Sequence, residues 1–113
     1  MRDESFKKFV LDQMRGLEGV AARPMFGGHG LYYGDRFFGI LFKGRLYFKT
    51  TPATRPRYLR EGMTPFAPNK KQTLKNYYEV PADIIESADR LVAWADDAMP
   101  GAGIQMRVRR RRF

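Results

Sequence analysis

The chain has no cysteine among its 113 residues. A disulfide framework, a zinc–thiolate site and a thiol nucleophile are therefore excluded, and a reducing compartment is favoured. The single histidine, His29, would need at least two further ligands to hold a metal, and carboxylates are scarce around it in the sequence. The sequence thus predicts a surface or hydrogen-bonded histidine, with no metal and no cofactor.

Long hydrophobic runs are also missing. No apolar stretch approaches about 18 residues, the length at which a membrane-spanning helix becomes a candidate. Asp3 and Glu4 stand where a secretory signal peptide needs positive charge. We expect a soluble cytoplasmic protein with no membrane association, made of one domain over residues 1–100 and a basic, flexible tail over residues 101–113.

Acidic residues are outnumbered, with 12 Asp and Glu against 21 Lys and Arg, which gives a net charge of +9. The excess is uneven: residues 23–80 hold eleven basic and three acidic groups, residues 81–99 hold one and five, and residues 100–113 hold five and none. Such a distribution favours contact with polyanions or acidic protein surfaces on one side. Solubility alone is the alternative explanation.

What the chain does have is a segment rich in glycine and aromatics, residues 23–50. Gly34-Asp35 and Lys43-Gly44 interrupt its apolar runs at the spacing of hairpin turns. The pattern predicts a meander of three strands, over residues 22–33, 36–42 and 45–50. The middle strand has apolar residues at both odd and even positions, so both of its sides are apolar. This predicts a second apolar face of the sheet, covered either by a helix or by a second copy of the chain in a homodimer.

Helical periodicity flanks this meander. Phe6, Val10 and Leu17 fit a first amphipathic helix, a short helix follows Thr51-Pro52, and a second hairpin turns at residues 69–71. A last helix begins near residues 81–82 and is re-capped at Ser87. The order α-β(3)-α-β(2)-α predicts an α+β fold of two layers, an antiparallel sheet of about five strands with helices. Its core is predicted to contain Met25, Phe26, Leu31, Phe38, Ile40, Leu46, Phe48, Leu91 and Trp94.

Groups suited to catalysis are few. Ser5 and Ser87 stand at predicted helix starts, and the carboxylates of the last helix fit solvated charge. The glycines at 27, 28 and 30 lead into a strand rather than a helix, so they favour a bulge or a close backbone approach over a phosphate loop. No catalytic residue is assigned, and an enzyme that uses this strand is the least favoured hypothesis.

Several motifs together resemble the N-terminal domain of the TfoX/Sxy family over about residues 5–99. They are RPMFGGHGLY at 23–32, LYFK at 46–49, Pro65-Phe66, YYEVP at 77–81, and residues 91–95. The family includes bacterial regulators of natural competence, thought to act as transcriptional coactivators rather than enzymes. The resemblance implies a stand-alone regulatory module, without the family's C-terminal domain, that binds a protein partner. Candidate partner-binding residues are Arg23, Phe26, His29 and Tyr32.

Nucleic-acid binding without sequence preference is the alternative function. Its candidate residues lie in the basic sheet region and in the tail: Arg55, Arg57, Lys70, Lys71, Arg107, Arg109, Arg110, Arg111 and Arg112. Arginine and lysine neutralise phosphates, although the same alternation of Tyr and Lys suits an ordinary solvent face of a sheet. The tail fits a disordered basic arm, but residues 104–109 alternate with period two and could instead add a strand to an exposed edge.

Overall fold

The computed structural model describes residues 2–25 and 27–100. These residues form four helices and six strands. In chain order they are α1 (Arg2–Gln13), β1 (Val20–Met25), β2 (Gly28–Tyr33), β3 (Arg36–Phe42), β4 (Arg45–Lys49), α2 (Arg55–Arg60), β5 (Pro65–Asn69), β6 (Gln72–Glu79), α3 (Ala82–Ile85) and α4 (Ala88–Asp97).

One antiparallel sheet contains all six strands, in the order β1-β2-β3-β4-β6-β5. The α+β class and the order of elements predicted from the sequence are confirmed. The predicted first strand, residues 22–33, is in fact two strands, because Met25 pairs with Gly28 and the two strands run antiparallel. Gly27 has a φ of 80°, which a residue with a β-carbon adopts only at a cost, and this turn raises the strand count from five to six.

The helices pack on one face of the sheet around a single large core. Val10, Met14 and Leu17 from the α1 region meet Leu91 of α4 and Phe48 of β4 there. At the ends of the helices, Gln13 donates a hydrogen bond to the carbonyl of Ile85 at 2.9 Å, and the Ser87 side chain accepts one from the Arg90 amide, as predicted for a cap. Of the predicted core, the fully buried residues are Leu31, Phe38, Ile40, Leu46, Phe48 and Leu91. Met25 and Trp94 are half-buried, and Phe26 lies outside the described residues.

A β-bulge in β3 decides which side chains face the helices. Leu31 pairs with Gly39 and Tyr32 pairs with Phe37, so Phe38 is an extra residue between them. As a result Phe38 packs in the helix-side core, whereas Phe37 contacts the cluster on the other side of the sheet. Odd and even positions of this strand are both apolar because each face of the sheet carries an apolar cluster, and the bulge changes which residues belong to each.

Gly28 is needed for the close approach of β2 to β3. A β-carbon built there would collide with the backbone carbonyl of Leu41, which cannot move without disturbing the β3 ladder. We expect Gly28→Ala to lower the free energy of unfolding by about 1–3 kcal/mol in urea titrations, as overpacking does.

Gly16→Ala provides the matched control for that experiment. Its β-carbon would meet Val92 Cγ2 at 3.6 Å, an ordinary van der Waals contact. Equal stabilities of the two variants would show that the β2–β3 approach tolerates a methyl group.

Candidate binding surface on the open sheet face

The sheet face opposite the helices, here called the open face, carries a second apolar cluster. Ile40, Tyr47 and Phe66 are buried in it, and five partly buried residues pack around them: Met25, Phe37, Phe42, Leu74 and Tyr77. All eight belong to strands, so within the described part of the chain no helix contributes to this cluster. Large aromatic side chains therefore remain partly accessible on this face.

The open face is concave at its β5 end. Phe66 of β5 lies 5.3 Å from the Phe42 ring of β3 and 4.8 Å from the Tyr47 ring of β4, centroid to centroid. Because β4 and β6 lie between β3 and β5, a flat sheet would keep the two outer strands about 14 Å apart. The sheet must therefore curl toward the open face for Phe66 to be fully buried against these rings.

Three aromatic rings and one guanidinium form a row across this face, here called the aromatic row. Arg23 Cζ lies 4.6 Å from the Tyr32 ring centroid, Tyr32 lies 5.2 Å from Phe37, and Phe37 lies 5.4 Å from Tyr77. The adjacent ring planes are inclined by only 32° and 33°.

The centroid distances show how the three rings are oriented relative to one another. Nearly parallel rings that lie flat, side by side, keep their centroids more than about 6 Å apart, because their edge carbons cannot approach closer than about 3.5 Å. The shorter spacings of Tyr32, Phe37 and Tyr77 mean that the ring faces are turned partly toward one another, in an offset stack. The faces of Phe37 are consequently turned toward Tyr32 and Tyr77, and the Tyr32 ring lies between Phe37 and the Arg23 guanidinium.

Charged side chains surround the row. Arg45, Tyr47 and Lys49 alternate along β4 and so point to the same side, which places both cations on the open face. Lys43 lies 5.3 Å from the Phe42 ring. Arg45 Nη1 donates to both carboxylate oxygens of Glu79, at 3.0 and 3.1 Å. With Arg23, these residues make four cations against one carboxylate, and that carboxylate is already paired.

Tyr47 and Tyr77 on this face stay protonated at neutral pH. Burial raises the pKa of Tyr77, and the neighbouring Tyr32 raises it further. Burial also raises the pKa of Tyr47, with Glu79 adding to the shift and Arg45 opposing it. Because the ordinary tyrosine pKa is already about 10, these hydroxyls remain hydrogen-bond donors under physiological conditions.

The candidate partner-binding residues are only partly brought together. Arg23 and Tyr32 are in contact on the open face. His29 alternates with Gly28 and Gly30 in β2 and shares the side of Leu31, which belongs to the helix-side core. Phe26 lies outside the described residues.

The candidate nucleic-acid residues that the structure describes fall into two groups, one engaged in contacts within the domain and one exposed. Arg55 donates to Thr50 Oγ1 at 3.0 Å and to Asn76 Oδ1 at 3.2 Å, so it ties α2 to the end of β4 and to β6. Arg57 bonds Asp97 at 2.7 Å, and its guanidinium lies 4.6 Å from the Trp94 ring centroid. Both guanidinium groups thus hold α2 in place.

Lys70 and Lys71, in contrast, are exposed in the turn between β5 and β6. Asn69 organises that turn by accepting hydrogen bonds from the amides of Lys71 and Gln72, at 2.8 and 3.0 Å. The tail candidates, Arg107, Arg109, Arg110, Arg111 and Arg112, lie outside the described residues.

Two further observations concern the described residues alone. No three of their His, Asp or Glu side chains come together as a metal site would require. None of their helices has the length and apolarity to cross a membrane.

Comparison with known proteins places this sheet and its helices in a family. No curated protein matches the chain. The family model described as the TfoX N-terminal domain matches residues 12–102, a span that includes all six strands and the last three helices. The match confirms the resemblance seen in the motifs, and it covers well over half of the sequence. The chain therefore belongs to the TfoX N-terminal domain family.

Proposed function

We propose that this chain is a regulatory module that acts by binding a protein in transcription regulation, and that the open face is its binding surface. The observation that carries the proposal is the concave aromatic cluster with no helix from the described residues over it. Partly exposed aromatic patches of this kind are typical of interaction sites. The TfoX N-terminal domain family is not a known enzyme family, which is consistent with a binding role.

The two sheet edges support binding through side chains rather than through backbone pairing. Edge strand β1 contains Pro24, and edge strand β5 contains Pro65 and Pro68, whereas the four strands between them contain no proline. Proline has no amide donor, and its presence at sheet edges hinders the addition of another strand. The open face is therefore better suited than either edge to hold a partner.

Within this role, we assign the specific form of a coactivator, a protein that contacts a transcription factor in the bacterial cytoplasm. This assignment is made by analogy with the competence regulators of the family. It requires that Arg23 and Tyr32, which belong to the family motif at residues 23–32, contact the partner directly.

Affinity capture from the native host, after nuclease treatment, tests the proposal. We expect the wild-type chain to retain a specific protein and Phe37→Ala to retain about tenfold less, because truncating a central aromatic anchor removes much of the binding energy. Phe9→Ala is the matched control, since Phe9 is 43% exposed on α1 and belongs to neither apolar cluster.

Thermal melts of both variants show whether the domain remains folded, so that lost capture can be attributed to the surface. A partner that disappears on nuclease treatment, or that is retained equally by Phe37→Ala and the wild type, would contradict the proposal.

A further inference from the structure

We infer that the open face takes an acidic, extended peptide segment of its protein partner, with one carboxylate at Arg23, the end of the aromatic row, and another at Lys49, whose strand lies between those of Phe37 and Tyr77. This inference rests on the proposed function and specifies the chemistry of the partner. Charge and ring geometry support the inference independently, and the strand spacing sets the distance expected between the two carboxylates.

Charge favours an anionic ligand. Among the described side chains placed on the open face, Arg23, Lys43, Arg45 and Lys49 are cations and Glu79 is a carboxylate, which already pairs with Arg45. Two copies packed through this face would bring these cations toward one another, and like charges across an interface are unfavourable. A partner with carboxylates, in contrast, would neutralise the excess and would be attracted before contact.

The ring geometry favours a peptide over a single-stranded nucleic acid. Bases stack on the open faces of aromatic rings. Here Arg23 covers the Tyr32 ring, and Phe37 has neighbours at 5.2 and 5.4 Å on two sides. Ring edges carry partial positive charge, and the Tyr32 and Tyr77 hydroxyls are donors, so both suit carboxylate oxygens. Apolar side chains of a peptide can rest against the same edges.

The spacing of the two cations sets the spacing of the acidic residues. Arg23 lies on β1 and Lys49 on β4, three strand intervals apart, which corresponds to about 14 Å across the sheet. An extended chain advances about 3.3 Å per residue, so the carboxylates would be separated by four or five residues. The residues between them would cross Phe37 and are expected to be apolar.

The intact chain can be tested against a random peptide library, with no assumed partner. We expect the selected sequences to be enriched in pairs of Asp or Glu four or five residues apart with apolar residues between. Fluorescence anisotropy of a selected peptide would then measure binding to Arg23→Gln/Lys49→Gln, which we expect to weaken it by about tenfold or more.

Lys70→Gln/Lys71→Gln is the matched control, because it removes the same two charges from the exposed β5–β6 turn. We expect this control to bind the peptide within about twofold of the wild type, the size of a screened long-range effect. Tyr32→Phe/Tyr77→Phe keeps the stacked rings and removes only the two hydroxyls; we expect it to weaken binding by a few-fold.

Several results would overturn the inference: selection of neutral or basic peptides, no selected peptide at all, or equal losses in the two charge variants. So would tighter binding of an oligothymidylate that depends on Arg23 and Lys49, or a monomer–dimer equilibrium abolished by Arg23→Gln/Lys49→Gln.

If Phe37→Ala still loses a captured protein while acidic peptides fail, the proposed function survives and only this inference is wrong. If acidic peptides bind at Arg23 and Lys49 but no host protein is captured, the proposed function fails instead.

Discussion

Truncating Phe48 to alanine is expected to lower the free energy of unfolding by about 3–5 kcal/mol. Phe48 of β4 is fully buried, and its ring lies 5.8 Å from that of Phe38, centroid to centroid. It belongs to the core in which residues from the α1 region and from α3 and α4 meet the sheet, so several elements border the space that its ring fills. Urea titrations followed by circular dichroism measure the loss.

Phe9→Ala again serves as the control, because its side chain is 43% exposed and we expect a change within about 0.5 kcal/mol. A loss below about 1 kcal/mol for Phe48→Ala would mean that the helix-side core can close around the cavity. A variant too unstable to purify would be measured instead as Phe48→Leu, which keeps most of the volume and is expected to lose less than Phe48→Ala.

The fold was largely predictable because its signals are local. Turn residues at 34–35 and 43–44, helical periodicity near both ends, and the Ser87 cap each act within a few residues, and all appear in the structure. The hairpin between β1 and β2 was not predicted, because the glycines of this segment were explained as a bulge or a close backbone approach. Both a turn and a close approach are present: Gly27 makes the turn through its positive φ, and Gly28 allows β2 to approach β3.

The candidate site was less predictable because long-range contacts assemble it. The family motif contains Arg23 and Tyr32. Phe37 lies beside them on the open face because of the bulge in β3, and Tyr77 does so because β6 pairs with β4. Likewise, Arg55 and Arg57 read as a basic patch in sequence, yet their partners Asn76 and Asp97 lie 21 and 40 residues away. Alternation along a strand predicts which of its side chains share a face of the sheet, but it does not predict which residues from distant parts of the sequence contact them.

The arginines of the tail are the remaining basis for the nucleic-acid hypothesis. Prolines in both edge strands argue against the alternative in which residues 104–109 add a strand to this sheet. Since Arg55 and Arg57 are engaged within the domain, the five tail arginines are also the larger group of candidate phosphate ligands. Their role stays a prediction from the sequence.

Deleting residues 107–113 is expected to flatten the slope of log K against log salt for DNA binding by about 4–5 units, at about 0.9 per phosphate contact for five arginines. The loss of affinity should be similar for every DNA sequence, because phosphate contacts carry no sequence information. Titrations at several salt concentrations measure the slope. Lys70→Gln/Lys71→Gln, with the tail intact, tests the exposed turn of the folded domain separately.

Capture of a protein partner is expected to survive this truncation, because the aromatic row and its cations remain in place. Salt-dependent DNA binding that persists without the tail but falls in Lys70→Gln/Lys71→Gln would place the phosphate contacts on the folded domain. If neither the full chain nor the truncated one binds DNA at low salt, the nucleic-acid hypothesis is wrong, and protein binding at the open face remains the proposed function.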